Sequence, residues 1–231
     1  MTQVTIKAAD GGSFSAYVAR PDSHPAPGLV VIQEIFGVNK VMRDLCDHYA
    51  SLGYVAICPD LFWRIEPGID ITDKTEEEWN KAFSLFQAFD QDKGVQDIQS
   101  TIAFLREYEA SNGKVGTVGF CLGGKLAYLA ATRTDADVSV GYYGVGIEQA
   151  LDEAAKITHP LMLHIATEDQ FCPAEAQQAI HARLDGHDKV TLHDYAGQDH
   201  AFAREGGAHY DKASAELADQ RSLAFFKSAI G

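Results

Sequence analysis

The stretch "KVGTVGFCLGGKLAYLAATR", residues 114–133, decides the fold. After Lys114 its first half is an uncharged run of the kind that forms a strand buried on both faces. From Leu122 the pattern turns helical. Between the two lies G-x-C-x-G, Gly119 to Gly123, the outline of a nucleophile elbow in which a strand turns sharply into a helix, with Cys121 where serine usually stands. Gly119 and Gly123 leave room for the turn, and Gly124 lets the helix lie close to the sheet. A buried structural cysteine is the plainer alternative, but motif and context together favour an attacking thiol.

The rest of the chain repeats this rhythm. "GLVVIQEIFG" (28–37), "YVAICPD" (54–60), "VSVGYYG" (138–144), "HPLMLHIATED" (159–169) and "KVTLHDYAG" (189–197) read as buried strands. Helical stretches lie between them: 39–53, 94–110, 174–184 and 214–230. The alternation predicts an α/β fold, a mostly parallel central sheet with helices on both faces. "QVTIKAADGGSFSAYVAR" (3–20) departs from it: two strands joined across Asp10-Gly11-Gly12 predict an antiparallel N-terminal edge. "DKTEEEWNKAFSLFQAFD" (73–90) predicts a helix whose acidic start meets the positive end of the macrodipole, with Trp79, Phe83, Phe86 and Phe89 facing the core. Without a repeat or linker, 1–231 reads as one domain.

Composition narrows the function. With 19 basic against 33 acidic residues the net charge is −14, which repels nucleic acid and anionic lipid. No apolar run approaches the roughly 20 residues of a membrane span, and "MTQVTIKAADGG" lacks a signal-peptide pattern, so a cytoplasmic location is expected. The four cysteines, Cys46, Cys58, Cys121 and Cys172, form no C-x-x-C pair and read as free thiols in a reducing compartment. Nine histidines raise the question of metal, but none has H-E-x-x-H or comparable spacing, so no metal is expected.

In a parallel sheet the groups beyond the strand ends converge, so distant residues can share one site. Asp169 closes "LMLHIATED" and His200 follows the next strand. The order nucleophile, acid, histidine suits an elbow enzyme: His200 would take the thiol proton and Asp169 would hold its tautomer. Glu168 and Asp199 are rival carboxylates, and Asp169 is favoured over Glu168 because it is nearer the loop. His164, mid-strand in an apolar run, reads as a satisfied core histidine. Oxyanion donors would be the backbone N–H of Leu122 and that of Ile35. Glu34, in the same loop as Ile35, would disfavour thiolate formation by like charge if it sits beside the elbow, guarding the thiol until substrate displaces it.

"QEIFGVN", "CPDLF", "QAFD", "SNGKVGTVGFCLGG", "GYYGVG" and "GQDHAFAR" together resemble the dienelactone hydrolase (carboxymethylenebutenolidase) family over nearly the whole chain. The resemblance implies an α/β-hydrolase fold, a Cys-His-Asp triad falling on Cys121, His200 and Asp169, and a glutamate that holds and activates the cysteine, falling on Glu34. It implies opening of dienelactone to maleylacetate in the breakdown of chlorocatechols, with no cofactor. Family arginines grip the substrate carboxylate. One falls on Arg204, but the other falls on Trp79, with Phe83 where a tyrosine is common. Lys81 lies nearby as a point charge rather than a fork. Tyr142 either lines the pocket or packs. The expected partner is a small lactone or ester, and the expected state a monomer. A carboxylesterase for neutral esters is the alternative, followed by a non-catalytic ligand-binding or thiol-sensing protein.

Overall fold

The computed structural model describes residues 2–231. Eight strands lie in the order β1-β2-β4-β3-β5-β6-β7-β8. They are β1 (Thr2–Lys7), β2 (Ser13–Ala19), β3 (Ala26–Ile32), β4 (Val55–Pro59), β5 (Ser111–Phe120), β6 (Val138–Tyr142), β7 (Leu161–Ala166) and β8 (Val190–Tyr195). Pairing is antiparallel for β1–β2 and β2–β4, and parallel for β3–β4, β6–β7 and β7–β8. The helices are α1 (Lys40–Ser51), α2 (Glu76–Ala88), α3 (Gln91–Glu107), α4 (Leu122–Arg133), α5 (Ala174–Leu184) and α6 (Lys212–Ile230). Among the described residues no helix is long and apolar enough to cross a membrane.

The chain forms two compact units, 1–117 and 118–231. In the first, the expected hairpin closes at Gly11, whose φ of +95° a side chain would strain. Helices α1 and α3 pack on β3 and β4, and every residue of β4 is buried. Helix α2 begins at Thr75, whose hydroxyl accepts the Glu78 N–H, and carries Glu76, Glu77 and Glu78 in its first turn as predicted.

The aromatic face of α2 differs from the expectation. The residues it buries are Ala82 and Leu85, whereas Trp79 and Phe86 are half buried and Phe83 is 39% exposed. Trp79, Phe83 and Phe86 follow 4- and 3-residue steps, so they share a stripe beside the one that Ala82 and Leu85 turn inward. Trp79 packs edge-on against Phe36 at 5.1 Å and stacks on Phe83 at 5.5 Å.

In the second unit β6 is wholly buried and is packed by both α4 and α6. Helix α4 is interior along its length, with every residue from Leu122 to Thr132 buried, which explains a sequence lacking a polar face. Gly124 makes that burial possible: a Cβ there would lie 2.4 Å from the Tyr142 carbonyl oxygen. β8, expected to be buried on both faces, is the sheet edge and is largely half buried.

Candidate active site

Cys121 occupies the bend between β5 and α4, with φ 57° and ψ −116°. That conformation is costly for a side-chain residue. Neighbouring backbone fixes it: the Cys121 N–H donates to the Tyr142 carbonyl at 3.1 Å, and its own carbonyl accepts from Gly124 N–H at 3.0 Å. A Cβ on Gly119 would meet the Gly123 oxygen at 1.9 Å, so the turn exists only with glycine there. Cys121 is half buried, whereas Cys46, Cys58 and Cys172 are buried.

His200 lies in the loop after β8 and is 7% exposed. Its Nδ1 bonds Asp169 Oδ2 at 2.7 Å, and its ring also hydrogen-bonds Cys121. Asp169 is 3% exposed, and its Oδ1 accepts the Phe171 N–H at 2.8 Å. Burial opposes charge on His200. The Cys121 charge, the hydrogen bonds to Asp169 and Cys121, and the Asp169 charge outweigh it and push the imidazole up to about 10. The structure thus brings together Cys121, His200 and Asp169. Of the rivals, Glu168 is exposed, and Asp199 accepts the His200 backbone N–H at 2.6 Å rather than meeting its ring.

Three non-glycine residues have positive φ among the described residues: Cys121, Tyr143 (37°) and Ala201 (63°). Tyr143 packs edge-on against His200 at 5.2 Å, and Ala201 follows His200 in sequence. Such strain is retained where the surroundings impose it, and here it collects around one imidazole.

Tyr142 packs. Its ring is buried, stacks on Phe120 at 4.7 Å, and its hydroxyl meets Ser222 Oγ at 2.7 Å. Tyr143 and Phe171, whose rings border His200, were not singled out by sequence. Their position one and two residues beyond strand-end landmarks is the signal that could have found them. Arg204 is half buried in the turn after His200, its N–H bonded to the Ala201 carbonyl at 2.9 Å. Leu122, one of the two expected oxyanion donors, begins α4. Cys172 is a bystander thiol: burial, with the charges of Asp169 and Glu148, pushes it up to about 12.

The first unit holds the other expected residues. Glu34 (2% exposed) and Ile35 (6%) follow the end of β3, and the Glu34 carbonyl accepts from Gln33 Nε2 at 3.3 Å. The Gln33 Oε1 accepts the Leu61 N–H at 3.0 Å, which ties this loop to the one after β4. Trp79 donates from Nε1 to the Asp73 carbonyl at 3.0 Å, and Lys81 is paired with Glu66.

The strand order and the strained strand-to-helix turn define an α/β-hydrolase fold. The chain belongs to the dienelactone hydrolase family, whose sequence profile matches residues 14–230. It is 54% identical, over the whole of both chains, to a protein of Azospirillum brasilense provisionally named a carboxymethylenebutenolidase. It is 40% identical to the carboxymethylenebutenolidase of Pseudomonas putida, covering 96% of this chain and 94% of that one. A dienelactone hydrolase-like promiscuous phosphotriesterase from metagenomic libraries shares the fold at a TM-score of 0.83 and 20% identity, covering 100% and 99% of the two chains. By class, the protein is a hydrolase of esters or lactones.

Proposed function

We propose that this protein opens small lactones, dienelactone to maleylacetate foremost, through a Cys121-His200-Asp169 triad and a thioacyl intermediate. The observation that carries the proposal is the bonded line from Asp169 through His200 to a thiol held at a strained turn. The Cys121 sulfur forms a bond to the lactone carbonyl carbon, with its proton on His200. The carbonyl electrons move to oxygen, which the backbone N–H groups of Leu122 and Ile35 would stabilise. Collapse breaks the ring C–O bond, and His200 returns its proton to the departing enol oxygen. Water then attacks the thioester with His200 as base, releasing the carboxylate and restoring the thiol.

The electrostatics suit both halves. Cys121 is the foremost of the groups that raise His200, through the thiolate formed once substrate lifts the Glu34 restraint, and acylation removes that charge. The imidazole then falls back toward its ordinary range and can accept a proton from water. Glu34 would restrain the thiol until substrate binds, and Arg204 would pair with the substrate carboxylate.

A second reading has its own support. Trp79 stands at an expected arginine position, and its stripe with Phe83 is apolar and partly exposed, which suits neutral esters. The test is hydrolysis of dienelactone and p-nitrophenyl acetate by wild type and Cys121→Ala. Lactone turnover lost in the variant supports the first reading. Cysteine-dependent turnover of the acetate alone supports the second, and turnover that survives in Cys121→Ala would end both.

A further inference from the structure

A line of hydrogen-bonded polar side chains, buried from Tyr195 onward, is not used by the proposed chemistry. Arg221, on α6, donates from Nη1 to the Tyr195 hydroxyl at 3.2 Å. That hydroxyl meets His164 Nδ1 at 2.8 Å, His164 Nε2 meets Ser222 Oγ at 2.9 Å, and Ser222 Oγ meets the Tyr142 hydroxyl at 2.7 Å. Tyr142, His164, Tyr195 and Ser222 are all at most 4% exposed. Four partners on four elements in an apolar interior exceed what a chance polar residue needs for satisfaction.

The line has a direction. Arginine carries donors only, so Tyr195 accepts from it, and the phenol proton is left for His164 Nδ1. Burial favours a neutral His164, reinforced by His193, stacked at 5.8 Å, and by the Arg221 charge. A neutral imidazole has one donor and one acceptor, so Nδ1 accepts and Nε2–H donates to Ser222. The titratable groups facing this ring are therefore Tyr142, His193, Tyr195 and Arg221.

Three residues of the line, Tyr142, His164 and Tyr195, also hold strand ends beside the candidate site. The Tyr142 carbonyl accepts the Cys121 N–H at 3.1 Å, and the His164 carbonyl accepts the N–H of strained Tyr143 at 2.8 Å. Tyr143 in turn borders His200. The Tyr195 carbonyl accepts the Thr167 N–H at 3.2 Å, two residues before Asp169. We propose that His164, fixed as the Nε2–H tautomer between Tyr195 and Ser222, is a positioning residue that locks the ends of β6, β7 and β8 and so holds Cys121, His200 and Asp169 in register. The inference rests on the proposed triad. It adds a tautomer, a direction and residues outside the reacting groups.

The experiment combines long-range ¹H–¹⁵N spectra of the histidines with kinetics and alkylation of Cys121 by iodoacetamide. His164 should report as a neutral Nε2–H ring. His164→Leu should lower kcat about tenfold or more at little change in KM, since small displacements of aligned groups are costly, and should slow alkylation. His164→Gln, which keeps a donor for Ser222, should restore most of both. An Nδ1–H tautomer would overturn the proposal. So would a His164→Leu protein that melts earlier yet, while fully folded, keeps wild-type kcat and alkylation rate. If His164→Leu fails to fold, Tyr195→Phe, which removes one hydroxyl, is read in the same way. Should the wild type hydrolyse neither substrate, the lactonase reading fails by itself, while tautomer and alkylation still decide the positioning role.

Discussion

In the proposed mechanism His200 is the residue on which the chemistry turns, because burial alone would keep it neutral and its two partners reverse that. The sign can be tested one partner at a time. Asp169→Asn removes a charge and exchanges the Nδ1 acceptor for an amide that can also present a donor, so the His200 titration should move down from about 10. The kcat should fall by on the order of 10³- to 10⁴-fold, the scale seen when a triad acid is neutralised in other enzymes. Carboxamidomethylation of Cys121 removes the other charge and should lower the same titration. An NMR titration of the His200 ring in the three proteins checks both, and an unchanged midpoint after alkylation would sink the acylation-switch argument for water activation. Sequence could name these three residues because strand-end position and chain order are readable from pattern. For Tyr143 and Phe171 it offered only their place just beyond strand-end landmarks, since whether a ring meets an imidazole depends on backbone angles, such as the φ of 37° at Tyr143, that no residue type announces.

At the scale of the element, the start of α4 tolerates little. Its first turn is pinned between the Tyr142 carbonyl and Gly144, where a Cβ on Gly124 would come within 2.4 and 2.8 Å of backbone atoms that cannot rotate away. Gly124→Ala should therefore cost about 1–3 kcal/mol in urea unfolding and disturb the Cys121 bend together with it. A neutral result would mean that helix and strand can separate without loss. The far end of α4 is tied differently. Arg133 binds Glu153 through Nε at 2.9 Å, Lys156 adds a second cation at 3.2 Å, and Glu153 is 9% exposed. The Arg133 hydrogen bond, working against burial, lowers that carboxyl to about 2. A depressed carboxylate contributes above its unfolded pKa of about 4.3 and loses that contribution as pH falls toward the folded value. Wild type should thus lose on the order of 2–3 kcal/mol of stability between about pH 4.5 and pH 2 through this group. Glu153→Gln should be less stable at neutral pH and show a shallower acid limb in pH-dependent melting. Helix existence was legible here from period and caps, but α2 shows the limit: its aromatic stripe and its core stripe lie side by side, and hydrophobicity ranks the aromatics first although Ala82 and Leu85 are what the interior takes.

Across the whole molecule, alternation of strand and helix was enough to read the parallel sheet and its antiparallel start, because a crossover helix and a Gly-Gly hairpin leave different marks in sequence. The reading of β8 as buried on both faces went too far: "VTLHDY" carries Thr191, His193 and Asp194, polar residues that suit the half-buried edge strand the sheet order makes of it. Charge is the property that belongs to no element. At −14 the protein repels the anionic lactone proposed as its substrate, while Arg204 would attract its carboxylate at short range. The two act over different lengths: at 0.1 M salt the Debye length is about 10 Å, so salt screens the diffuse repulsion between exposed charges far more than a contact inside a site. Raising NaCl from roughly 20 to 200 mM should therefore raise kcat/KM for the anionic lactone about twofold and leave a neutral ester unchanged. Arg204→Gln should lower kcat/KM for the lactone tenfold or more, by about 1.5–3 kcal/mol, and spare the ester. A lactone rate that falls with salt would mean that local positive potential governs encounter despite the net charge. Equal losses on both substrates in Arg204→Gln would assign that side chain to the turn after His200 rather than to the substrate.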